Sequence, residues 1–188
     1  MSSRIVIERI ATEDALRASA MAEDLAVVGP FGSASRRSEV LAWRAIVRRE
    51  LGADVKIFYD DYGAPKVNLP DTHISISHSR DRVAVLFSDR VCAVDIESAD
   101  RNFRRVAKHY LSEREQAIAE PEDVYAEMWC AKEALYKYYS KGQLDFVRDV
   151  TIEKYDLTRG VLVCSILGSA AIEVSVRREN NLVIAVID

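Results

Sequence analysis

The chain predicts an α+β fold built from two half-domains, and three observations carry that expectation. Strand-like and helix-like patterns come in blocks (strand, helices, strands, then helices and strands again) rather than in strict alternation. A length of 188 residues suits one large domain or two small fused ones. No low-complexity linker separates the blocks. A close pseudo-dimer of similar α+β halves, residues 1–98 and 99–188, is therefore expected over two independent domains, although no internal repeat is visible.

The elements follow from local pattern. Residues 4–10 (RIVIERI) alternate apolar and polar, as a half-buried strand does. Residues 12–28 predict one helix capped by Thr12, with Leu16, Met21 and Leu25 facing inward. GPFGSAS at 29–35 is a loop, and a second helix runs from about Ser35 to Leu51, stopping before Gly52. Strands are expected at 54–59, 73–77, 82–88 and 91–97, with turns at YGAPK and NLPD. Residues 102–139 read as mostly helical with a break near Glu120–Pro121, and strands return near 149–155, 161–167, 170–177 and 182–187.

Composition narrows the function classes. A hydrophobic content of 49% with 30% charged residues is that of an ordinary globular protein, and the net charge of −4 gives no global pull toward nucleic acid or anionic membrane. Cys92, Cys130 and Cys164 are odd in number and widely spaced, without a CxxC or Cys/His cluster, which argues against zinc and against a disulfide framework. A reduced intracellular setting, the cytoplasm, is expected. The opening MSSRIVIERI does not read as a secretion signal, and no apolar run approaches a membrane span.

Three short blocks carry the chemistry: SISHS at 75–79, AVDIE at 93–97 and WCAKEALYK at 129–137. Asp95 and Glu97 are two apart in a strand pattern, so they share a face. Such a pair is also what the wet face of a half-buried strand looks like, but the apolar Val91–Val94 run argues for a central strand. Glu133 and Lys137, four apart on a helix, also share a face; alone they read as a surface ion pair, while Trp129 on the same stripe suggests a cleft. Three carboxylates and a lysine suit a divalent cation bridging phosphate oxygens.

The remaining constellations stay open between function and plain structure. Ser77 and His78 are adjacent in a strand and point to opposite faces, which excludes a nucleophile–base pair but leaves a hydroxyl and an imidazole to bind phosphate oxygens. Arg37, Arg44 and Arg48 fall in a narrow helical arc, either a solvated edge or a phosphate-binding one. Arg101, Arg104, Arg105 and Lys108 also have helical spacing, with Phe103, Val106 and Tyr110 opposite. They are either the outside of an amphipathic helix or a docking face for an acidic protein. In LSEREQ, Ser112 and Glu115 form a capping box, and the local sequence supports no catalytic role for Glu115.

Together and in this order, the blocks resemble the surfactin-synthetase-activating type of 4′-phosphopantetheinyl transferase. The resemblance covers residues 36–152 and rests on Gly63–Ala64–Pro65, ISHS at 76–79, AVDIE at 93–97, LSERE at 111–115 and Trp129 through Lys137. It implies a pseudo-dimeric α+β fold with coenzyme A between the halves and Asp95, Glu97 and Glu133 as magnesium ligands. It further implies Glu115 as general base on a carrier-protein serine and Lys137 as the group holding the transferred phosphate. Ser77, His78, Arg37 and Arg44 would bind coenzyme A phosphates, and the Gly63–Pro65 turn with Lys66 would lie against the nucleotide. The expected reaction transfers 4′-phosphopantetheine from coenzyme A to an apo acyl or peptidyl carrier protein and releases adenosine 3′,5′-bisphosphate. Ala64 and Ala93 depart from the family, which usually has lysine and glycine there. Two rivals are another magnesium-dependent phosphate-transfer enzyme or phosphohydrolase and a non-catalytic coenzyme A or carrier-binding module.

Overall fold

The computed structural model describes residues 3–188. It divides into two compact units, one ending at Arg90 and one running Val91–Asp188. The boundary expected near residue 98 therefore lies earlier, and the strand bearing Asp95 and Glu97 belongs to the second unit.

In the first unit, strands β1 (Arg4–Arg9), β4 (His73–Ser79) and β5 (Arg82–Ser88) form an antiparallel sheet of order β1-β5-β4, and β2 (Ile57–Tyr59) pairs with β3 (Pro65–Val67) in a hairpin. Helix α3 (Ala34–Leu51) is capped by Ser33 and packs Val40, Trp43 and Val47 against Val83, Val85 and Phe87 of β5. The single helix expected over 12–28 is two, α1 (Glu13–Ser19) and α2 (Ala22–Val28), because Ala20 and Met21 are extended. The Ser19 hydroxyl bonds back to the Ala15 and Leu16 carbonyls, which competes with the helix at that end. The break lets acids from both short helices meet arginines of α3.

In the second unit, β6 (Ala93–Ser98), β7 (Val150–Asp156), β8 (Val161–Ile166), β9 (Ile172–Glu179) and β10 (Leu182–Ile187) make a five-stranded antiparallel sheet of order β6-β10-β9-β8-β7. β6 is thus an edge strand, not the central strand that its apolar run suggests. It reads as buried because α5 (Tyr125–Tyr139) lies across β6 and β10, and because Val94 and Ile96 on its other face are also buried. Between β6 and α5 come a 3₁₀ segment (Arg104–His109), α4 (Glu113–Ala119) and a second 3₁₀ turn (Glu120–Glu122). Pro121 and the left-handed Asp123 end the helix where the sequence predicts a break. Each unit sets a long helix on an antiparallel sheet, but the sheets differ in strand number and order.

Candidate active site

The second unit gathers three carboxylates and a lysine between β6 and α5. The pleat of β6 sends Asp95 and Glu97 to the face covered by α5, and α5 returns Trp129, Cys130, Glu133 and Lys137 along one stripe. Lys137 Nζ donates to Asp95 Oδ1 at 2.8 Å and to the Val94 carbonyl at 3.0 Å. Cys130 Sγ donates to Asp95 Oδ2 at 3.1 Å. Glu97 accepts from Trp129 Nε1 at 3.1 Å and from Arg101 Nη1, 2.7 Å from each carboxylate oxygen. Trp129 is fixed by Phe103, Tyr110 and Phe146, with ring centroids 5.0–6.0 Å away. This aromatic surround leaves Trp129 half-buried.

Electrostatically, Glu133 stands out. Burial, followed by the Asp95 charge and helped by Glu97, pushes its carboxyl up to about 7, against the opposing pull of Lys137 and Arg101. Burial and then the Asp95 carboxylate hold the Cys130 thiol well above its usual range, so it is the protonated partner in its contact with Asp95.

The donors are the kind a hard divalent cation takes: carboxylate oxygens, with the buried thiol beside them protonated. A cation at this point would relieve the repulsion that raises Glu133. As placed, however, Asp95 and Glu97 are held by Lys137 and Arg101, and among the described residues no three acidic, histidine or cysteine side chains stand close enough together to hold a metal ion.

Glu115 has a different surrounding. It is 1% exposed and five contacts saturate its carboxylate. Oε1 receives the Ile152 N–H at 2.7 Å and Lys132 Nζ at 2.8 Å, and Oε2 receives the Ser112 N–H at 2.7 Å, the Ser112 hydroxyl at 2.9 Å and Lys132 Nζ at 2.9 Å. Lys132 is itself fully buried and also donates to the carbonyls of Phe146 and Val150 at 2.6 and 2.8 Å. A carboxylate offers about four lone-pair directions, and here all are taken. The capping box is present as expected, but Glu115 is not positioned to receive a proton from an incoming hydroxyl. It instead clamps α4, α5 and β7 together.

In the first unit the arginine arc is a seam. Arg37 forks onto Glu13 of α1 at 2.7 and 2.9 Å and donates to the Phe31 carbonyl at 2.7 Å. Arg44, 1% exposed, donates to Asp24 of α2 at 2.5 Å, and Arg48 takes the same carboxylate at 2.6 and 3.0 Å. Arg37 and Arg44, the residues expected at coenzyme A phosphates, are thus placed where they tie α1 and α2 to α3. Ser77 is buried and His78 exposed, the opposite-face arrangement that the strand predicts. His78 Nε2 stands 3.3 Å from Arg36 Nη1 and 3.4 Å from Glu39. Gly63 has φ of 82° in the β2–β3 turn, a conformation glycine permits at little cost, and Asp60 ties that turn by accepting from Tyr62 and Ala64. Pro65 opens β3, and Lys66 lies 3.5 Å from Asp60.

The 101–108 stripe lies on the 3₁₀ segment and the turn before it. Arg101, Arg104, Arg105 and Lys108 are all exposed. Phe103 and Tyr110 are buried as expected, but Val106 is exposed and Ala107 takes its inward place, because a three-residue period replaces 3.6. Arg101, Arg104 and Arg178 border a surface pocket of about 270 Å³ floored by Phe103 and Tyr125.

Pattern reading misses Lys132, Cys130 and Arg178. Lys132 sits in the same nine-residue block as Glu133 but on the inward face of α5, and its partner is 17 residues away. Only its position among the buried stripe residues Met128, Ala131 and Leu135 signals a special lysine.

A model of the 4′-phosphopantetheinyl transferase superfamily matches residues 91–187, just over half of the chain and nearly the whole second unit. No curated protein matches the chain.

Proposed function

The chain belongs to the 4′-phosphopantetheinyl transferase superfamily, and from that premise we propose that it moves 4′-phosphopantetheine from coenzyme A to the serine of an apo carrier protein, with magnesium as the cation. The observation carrying this reading is the convergence of Asp95, Glu97, Glu133 and Lys137 within the matched unit.

Asp95, Glu97 and Glu133 are the residues that would hold magnesium once drawn away from Lys137 and Arg101, and the ion would there neutralise diphosphate charge and make the phosphorus a better electrophile. Lys137, within one bond of Asp95, is the ammonium that orients the phosphate and offsets charge on the departing adenosine 3′,5′-bisphosphate. Glu133 is kept for the cation, whose charge would draw its carboxyl back down, so it is not assigned the serine proton; Glu115, enclosed as it is here, would take that proton only on leaving Lys132 and Ser112. Trp129 and its aromatic neighbours orient Glu97 and keep water from that side. In the first unit, Ser77, His78 with Arg36, and the Gly63–Lys66 turn are the proposed contacts for coenzyme A. The exposed Arg101, Arg104, Arg105 and Lys108, with the arginine-lined pocket beside them, are the proposed docking face for an acidic carrier.

Incubation of the protein with coenzyme A, magnesium and several apo carriers, read by intact-protein mass, tests the reading. A carrier that gains one phosphopantetheine supports it. Hydrolysed coenzyme A with unmodified carriers indicates a phosphohydrolase, and binding without turnover indicates a carrier- or coenzyme A-binding module.

A further inference from the structure

One carboxylate of the first unit, that of Glu39, serves two elements at once. Within α3 the Ser35 hydroxyl donates to Glu39 Oε1 at 3.1 Å, and Arg36 Nη1 donates to Oε2 at 3.2 Å. Ser35 and Arg36 reach it because they stand four and three residues before it on the helix. From β4, His78 brings Nε2 to 3.4 Å from the same Oε2 and to 3.3 Å from the same Nη1. These three atoms form a triangle of nearly equal sides. Glu39 is its enclosed corner, with a side chain 13% exposed against 50% for Arg36 and 43% for His78. Arg36 Nε, Arg36 Nη2 and His78 Nδ1 have no protein partner among the described residues.

The triangle decides where the imidazole carries its hydrogen. A guanidinium only donates, so a neutral ring beside Nη1 presents a bare Nε2 and keeps its hydrogen on Nδ1. A protonated ring carries both hydrogens and gives its Nε2–H to Oε2. In either form Nδ1–H is a donor. We propose that Glu39 is a positioning residue for His78, holding Arg36 Nη1 and the ring together so that Nδ1–H is offered to a phosphate of coenzyme A. The inference rests on the reading of His78 as a coenzyme A contact. Without the carboxylate, Arg36 and a protonated His78 repel each other at this separation, and a bare Nδ1 would set its lone pair against a phosphate oxygen.

The test uses the full chain, heteronuclear NMR of the histidine rings, and calorimetric titration with coenzyme A, with folding checked by thermal unfolding. In the wild-type protein neutral His78 is expected as the Nδ1–H tautomer, and a ring protonated mainly at Nε2 alone overturns the proposal. That measurement does not depend on a Glu39 variant, so it decides the matter if the substitution prevents folding. Glu39→Ala is expected to mix the two tautomers and to raise the coenzyme A Kd about fivefold or more, while Glu39→Gln, which keeps an oxygen for Arg36, stays within about twofold. A Glu39 that only steadies α3 would lower the melting temperature of the alanine variant and move neither tautomer nor affinity. Tighter binding in that variant would mean that the carboxylate merely repels the ligand, and either result overturns the proposal. His78→Ala separates the two levels. If it leaves coenzyme A binding unchanged, the reading of His78 as a contact fails and this inference with it; if it weakens binding while Glu39→Ala alters neither tautomer nor affinity, the inference alone fails.

Discussion

Glu115 and Glu133 show how environment assigns chemistry to two acids of equal standing in the sequence. Glu115 is surrounded by donors that leave it no open direction. Glu133 is half-buried beside other carboxylates, which raises its carboxyl to about 7. Glu133→Gln is therefore expected to abolish carrier modification with the melting temperature unchanged or raised, since it removes a crowded charge; activity assay and calorimetry on the same sample check both. Glu115→Ala is expected to behave oppositely. It strands Lys132 in the core, and breaking a buried pair costs about 3 kcal/mol or more, measurable by urea unfolding. The double variant Glu115→Leu/Lys132→Met is expected to recover much of that loss, because two apolar groups leave no buried charge unpaired. A Glu115→Gln protein of wild-type stability but without turnover would return Glu115 to the chemistry.

Among the elements, α1 and α2 depend on charge pairs with α3 more than on their own length. At seven residues each they are too short to be stable alone. Burial raises the Asp24 pKa, but hydrogen bonds from Arg48 and Arg44 outweigh it and leave the carboxyl below its ordinary value. A carboxyl depressed in the folded state contributes stability above its unfolded pKa of about 4 and loses that contribution as pH falls through the folded value. Glu13, brought down to about 2 by its hydrogen bonds to Arg37 and Arg17, acts in the same direction. Stability measured by urea midpoint is thus expected to fall on acidification from about pH 5 toward pH 2. Asp24→Asn is expected to be less stable at neutral pH and to lose less on acidification. An unchanged slope would remove Asp24 from the acid response.

At the scale of the whole molecule, a net charge of −4 coexists with a local basic face, so attraction to an acidic carrier has to be a regional effect. Arg105→Glu combined with Lys108→Glu is expected to raise the KM for the carrier several-fold, to steepen with falling salt, and to leave the KM for coenzyme A unchanged. Steady-state kinetics at two ionic strengths checks this. Equal changes in both KM values would argue for a general disturbance instead.

Periodicity and spacing by themselves determined the α+β class, most of the strands, the helix break at Pro121, the shared face of Asp95 and Glu97 and that of Glu133 and Lys137. These are short-range consequences of pleat and helical turn, and such geometry is written into neighbouring residues. Only the tertiary structure decided that β6 is an edge strand of the second unit, that the α3 arginines fasten two short helices, and that Lys132 rather than a substrate occupies Glu115. Each depends on a partner 17 or more residues away, and a buried charge looks like an exposed one until that partner is in place.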